Sequence, residues 1–137
     1  MKPIVAACAA LATLSIATVA AMAHHSMTIY EFFGTTIEGT VEQFKYVNPH
    51  SVIVLKASGG NGAPTVWYLE GDAPAMLDRD GYSRDTFHPG DRLKLIVHRL
   101  KSGEAGGLWN VRTVLEKNGE EFVGHQCMSS PDRCNPQ

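Results

Sequence analysis

Cysteine is scarce in this chain of 137 residues, which carries three. Cys8 lies in an apolar leader, so the rest holds one pair, Cys127 and Cys134, and no dense disulfide scaffold. A surplus of positive charge is also missing. Lys plus Arg is 12 against 14 for Asp plus Glu, a formal charge of −2. A protein that holds nucleic acid by its phosphates carries a basic excess, so that partner class is set aside. Catalytic signatures are absent too: no Gly-x-Ser-x-Gly, phosphate loop, His-Glu-x-x-His or Rossmann glycine pattern occurs. The length suits one domain and excludes a multidomain machine or a large barrel enzyme. There is no internal repeat and no collagen-like period.

What is present begins with an address. Lys2 precedes an uncharged run from Ile4 to Met22, and Ala21-Met22-Ala23 has the small-x-small form of a cleavage site. This pattern predicts a secretory signal over 1–23 and an exported, periplasmic or secreted product beginning at His24. Val5-Ala6-Ala7-Cys8 loosely matches a lipidation box, but almost no apolar segment precedes Cys8. No later segment is apolar enough to span a bilayer, so no membrane span is expected after cleavage. In an oxidising compartment Cys127 and Cys134 are expected to form a disulfide across the turn-rich Met-Ser-Ser-Pro-Asp-Arg. That pairing leaves no catalytic thiol.

The mature chain reads as an arm over 24–35, a β domain over 36–124 and an irregular tail over 125–137. Thr36 to Val47 forms a long first strand in which Ile37 and Val41 alternate with Glu38 and Glu42. The phase then slips, since Phe44 and Tyr46 fall on the other parity. With Gly39 inside the run, a bent or bulged strand is expected. Ser51–Lys56 and Thr65–Glu70 supply the second and third strands. Asp72 is expected to cap a short helix through Leu77 that ends at Asp80-Gly81. Arg92–Leu100 is the fourth strand, with Leu93, Leu95 and Val97 on one face, and Leu108–Glu116 is the fifth. Five strands with a helix between the third and fourth fit an all-β, OB-like barrel.

Several segments together resemble a family of exported bacterial proteins known as a domain of unknown function. They are His24-His25-Ser26, Gly39-Thr40-Val41, Asn48-Pro49-His50, Glu70-Gly71-Asp72-Ala73-Pro74, Gly81-Tyr82-Ser83-Arg84-Asp85 and Pro89-Gly90-Asp91. The resemblance covers roughly residues 24–117. Tyr46-Val47 before the Asn-Pro-His turn, Asp72-Ala73-Pro74-Ala75 at the helix start and the cysteine-bearing tail depart from the family pattern. The resemblance implies export and a small β domain, and it implies no activity.

The chemistry concentrates at the mature terminus. His24 would offer an α-amine and an imidazole on one residue, a chelate that suits Cu(II) when another imidazole joins it. His25 and His50 are the candidate partners, and Met27 adds a thioether for Cu(I). The rival reading is a solvated start to the chain, with His50 bonded to backbone in its turn. His88, His98 and His125 read as structural or exposed. A second candidate is an aromatic face on the barrel built from Trp67, Tyr68 and Tyr46, with Trp109 and Phe44 nearby, able to hold a protein, peptide or glycan. Arg79, Arg84, Arg92 and Arg112 are interspersed with carboxylates and read as solvated ion pairs. Glu70 with Asp72 could act as an acid–base pair, but fits a strand end and helix cap better. The sequence thus predicts a non-catalytic binding protein, with copper as its candidate cofactor and a periplasmic protein or small ligand as its partner.

Overall fold

A computed structural model describes residues 27–58 and 62–122. The leader, His24, His25, His125 and the Cys127–Cys134 pair lie outside the described residues.

The alternation read from Arg92 onward becomes strand β4, Arg92–Arg99. Leu93, Leu95 and Val97 are completely buried, while the residues between them face outward. Strand β1, Thr35–Lys45, is long enough to serve two neighbours. Its first half, Thr35 to Thr40, pairs with β4, and its second half, from Gly39, pairs with β2, Val52–Ser58. Gly39 lies in both pairings. A side chain there would meet the Lys56 carbonyl oxygen at 2.6 Å and the Ala57 Cβ at 2.9 Å, so the crossing point admits only glycine.

The expected phase slip is a register shift between Val41 and Gln43. The extra residue lets Val41 and Phe44 both face the core despite their odd spacing. The bulge is anchored from outside. The Val41 amide donates to the Asp91 carbonyl at 2.8 Å, and the Gly90 amide donates back to the Val41 carbonyl at 2.8 Å. Gly90 holds φ at +96°, which lets the Pro89-Gly90-Asp91 turn approach so closely.

Strand β3, Pro64–Glu70, pairs antiparallel with β2. Strand β5, Gly106–Leu108, then runs parallel to β3 and antiparallel to β4. The order β1-β2-β3-β5-β4, closed by the β1–β4 pairing, is a five-stranded OB-like barrel. Strand β6, Val114–Lys117, continues along the same edge of β4 beyond β5, and β7, Glu120–Glu121, pairs with β6.

Here the sequence reading needs correcting, because Leu108–Glu116 is not one strand. It is broken by an excursion in which Thr113 Oγ1 accepts from the Asn110 amide at 3.0 Å and Asn110 Oδ1 accepts from the Arg112 amide at 2.9 Å. These side chains satisfy the backbone in place of a strand ladder. The closing strand instead recruits Gly106 and Gly107 from what reads as a loop. A side chain on Gly107 would strike Val97 Cγ1 at 2.4 Å and the His98 carbonyl at 2.6 Å, so glycine is what fits between β3 and β4.

Helix α1, Pro74–Arg79, lies between β3 and β4 and buries Leu77 in the core. Asp72 does not cap it. The cap position is Ala73, whose methyl can make no side-chain hydrogen bond, while the Asp72 carbonyl one residue earlier accepts from the Ser51 amide at 3.1 Å. Pro74 follows directly, and Gly81 with φ +78° lets the chain leave the helix. Tyr46 ties α1 to the barrel: its hydroxyl donates to Asp78 Oδ1 at 2.6 Å. Below the helix, Phe44, Tyr82, Phe87 and Trp109 pack edge to face at ring separations of 5.2–6.2 Å.

Candidate functional site

Because β3 and β5 are parallel, they end side by side, with Glu70 opposite Leu108. β2 begins at the same end, since it is antiparallel to β3. This places Asn48-Pro49-His50, whose Asn48–Pro49 peptide is cis, beside the end of β3. The far end of β4 arrives next to β5, with His98 opposite Leu108. The arm closes over this corner. Met27–Ile29 form one 3-10 turn, and Tyr30 then bridges to Leu100 and is buried. The Glu31 amide donates to the Arg99 carbonyl at 2.8 Å, and the Lys101 amide to the Ile29 carbonyl at 2.9 Å.

The result is a cleft of about 400 Å³. Met27 and Tyr30 of the arm line it, with His50, Glu70, Asp72 and His98 from the barrel and Trp109 at its floor. The two imidazoles are held alike. His98 Nδ1 lies 3.2 Å from the Glu31 carbonyl, and His50 Nδ1 lies 3.2 Å from the Gly71 carbonyl. A carbonyl only accepts, so in each contact the ring Nδ1 is the donor. Metal-binding histidines are oriented in this way, their second nitrogen fixed by a backbone or carboxylate acceptor.

Glu70 stands at the centre of the polar wall. Its Oε1 lies 3.5 Å from His50 Nδ1, and its Oε2 accepts from the Tyr30 hydroxyl at 3.5 Å. Burial, reinforced by the charge of Glu70 and the hydrogen bond to it, pushes the Tyr30 phenol above its ordinary value. The floor is drier. Trp109 is 2% exposed, and its indole N–H and the Ser51 hydroxyl are buried with no hydrogen-bond partner among the described residues.

Of the residues singled out in the sequence, His50 lies in this cleft. Met27, the nearest described residue to His24 and His25, lies there too. Glu70 and Asp72 also meet at its rim, Asp72 lining the cleft rather than capping a helix. The three aromatics Trp67, Tyr68 and Tyr46 are not brought together. Trp67 is turned into the core at 5% exposure beneath the Arg99 guanidinium, 5.3 Å from its ring. Tyr68 faces outward at 57% exposure, and Tyr46 is spent on α1. His98 and Trp109 are cleft residues that sequence reasoning placed elsewhere, and Tyr30 is one it did not single out. The alternation of β4 gives the outward face of His98, but its neighbours depend on barrel closure. Among the described residues no three His, Cys, Asp or Glu side chains converge as a metal group, and no helix is long and apolar enough to cross a membrane.

No curated protein and no solved structure matched the chain. The profile of a family of unknown function, DUF6152, matches residues 10–111. That span takes in the whole closed barrel, from β1 through β5, together with both histidines of the cleft, and the chain therefore belongs to the DUF6152 family.

Proposed function

We propose that this is an exported, non-catalytic copper-binding protein in which the mature terminus completes the cleft. The observation that carries this reading is Met27. It lines the cleft with His50 and stands three residues from His24, about 10 Å of extended chain. Three residues of extended chain are long enough to carry the α-amine and imidazole of His24, with His25, to the cleft that His50 lines. An amine chelate plus a further imidazole is a donor set suited to Cu(II). Among the described residues no three His, Cys, Asp or Glu side chains form a metal group, so this reading requires ligands from the terminus. The α-amine must shed its proton to bind, so affinity falls as pH drops below about 7.7–8.0, its ordinary pKa.

The test is a calorimetric Cu(II) titration of protein whose start at His24 is verified by mass spectrometry. A variant with one alanine added before His24 serves as comparison. A 1:1 complex that the added alanine weakens about tenfold or more is the expected result. Equal affinity in both proteins would remove the terminal amine from the site.

A further inference from the structure

We propose that the open mouth of the barrel, at the end away from α1, binds a monoanionic carboxylate on the guanidinium of Arg99. Helix α1 covers the end where β1 finishes and β2 begins, held there by Tyr46 and by the buried Leu77. The other end is bounded by the start of β1, the end of β2 and the start of β3. Leu93, Leu95 and Val97 alternate into the barrel from β4 and are completely buried. Arg99 is the next residue in that series. Its guanidinium lies over the Trp67 ring, 5.3 Å from the centroid. A positive charge is therefore carried on the inner face of the sheet, stacked on an aromatic platform.

Nothing described neutralises this charge. Among the described residues the Arg99 side chain makes no ion pair and no hydrogen bond. Glu31, whose amide donates to the Arg99 carbonyl, makes no ion pair with the guanidinium. Residues 59–61, which connect β2 to β3 at this end, are Gly-Gly-Asn and carry no carboxylate. Two donors in the stack are sealed from water without an acceptor, the Arg99 Nε and the Nε1 of Trp67, itself 5% exposed. Leaving buried donors and a charge unmatched costs stability, so a site built this way calls for an anion. The two terminal nitrogens of Arg99 are not sealed in this way and remain accessible. Their flat fork of N–H groups matches the two oxygens of a planar carboxylate, and Trp67 fixes the plane of the fork. The charge count selects a monoanion. Thr35, opposite Val97, and Thr65, opposite Ala57, share the inner face by register and bring hydroxyls rather than a second cation. None of these residues lines the cleft of His50, so this site stands apart from the copper reading.

The experiment is an NMR titration of the isotope-labelled chain. Trp67 and Trp109 are its two tryptophans, so two indole N–H signals report on the barrel mouth and the cleft floor separately. Sodium acetate is compared with sodium chloride at matched ionic strength. Acetate is expected to move the Trp67 signal along a saturating curve and to leave the Trp109 signal in place. Arg99→Lys keeps the charge without the fork and is expected to weaken binding about tenfold. Arg99→Met keeps a stem over Trp67 and is expected to abolish it. Acetate should also raise the thermal midpoint of the natural protein and leave that of Arg99→Met unchanged. If Arg99→Met does not fold, the natural protein and Arg99→Lys decide. N-acetylalanine, a carboxylate in the form of a peptide end, is titrated alongside, and saturation by either ligand supports the proposal. A Trp67 signal that stays in place, that follows chloride equally, or that responds to acetate as strongly in Arg99→Lys overturns it. Saturation by inorganic phosphate with none by either carboxylate would overturn the assignment of the ligand class.

Discussion

Tyr46 shows how much a single hydroxyl decides. It reads from the sequence as part of a binding face, yet it donates to Asp78 at 2.6 Å, close to the Pro74 carbonyl, and so fastens α1 to β1. Burial and then the Asp78 carboxylate push its phenol up to about 12. An unfolded tyrosine ionises near 10. Between these values the unfolded chain loses its proton while the folded chain keeps it. The stabilisation is therefore full below about pH 10 and fades as pH rises toward about 12. Tyr82 is raised in the same direction, by burial and then by Asp80. Denaturant melts from pH 9 to 12 should show a shallower alkaline decline in Tyr46→Phe than in the natural protein. Equal slopes would mean that this hydrogen bond does not hold the helix. At this scale the sequence identified an aromatic beside a turn, but the partner that claims its hydroxyl is 32 residues away.

At the scale of elements, the first four strands and the helix lie where alternation and turn residues place them. Leu93, Leu95 and Val97 on one face of β4 and the slip after Val41 are local patterns, and local patterns are legible. The closing strand is not. β5 is built on Gly106 and Gly107, residues that sequence reasoning assigns to loops because glycine weakens strands. They are strand residues here because β5 fits between β3 and β4 only without side chains. Gly107→Ala should therefore cost about 2 kcal/mol through overpacking against Val97 and the His98 backbone. A urea melt measures the loss, and a variant as stable as the natural protein would contradict this account of closure.

For the whole molecule, the cleft is a consequence of topology. His50, Glu70 and His98 belong to three separate stretches of chain and meet because β3 and β5 run parallel to a common end. No spacing in the sequence encodes that meeting, which is why His50 could be singled out as a ligand while His98 was set aside. The arm behaves similarly. It reads as a loose start, yet Tyr30, Glu31 and Lys101 tie its described part to the end of β4. The central claim is that the terminal histidine and His50 hold one copper ion together. Pulsed EPR of the Cu(II)-loaded mature protein tests it most directly, with His50→Asn as the comparison. The account predicts couplings from at least two distinct imidazoles, one of which disappears in His50→Asn. Identical spectra from the two proteins would contradict it.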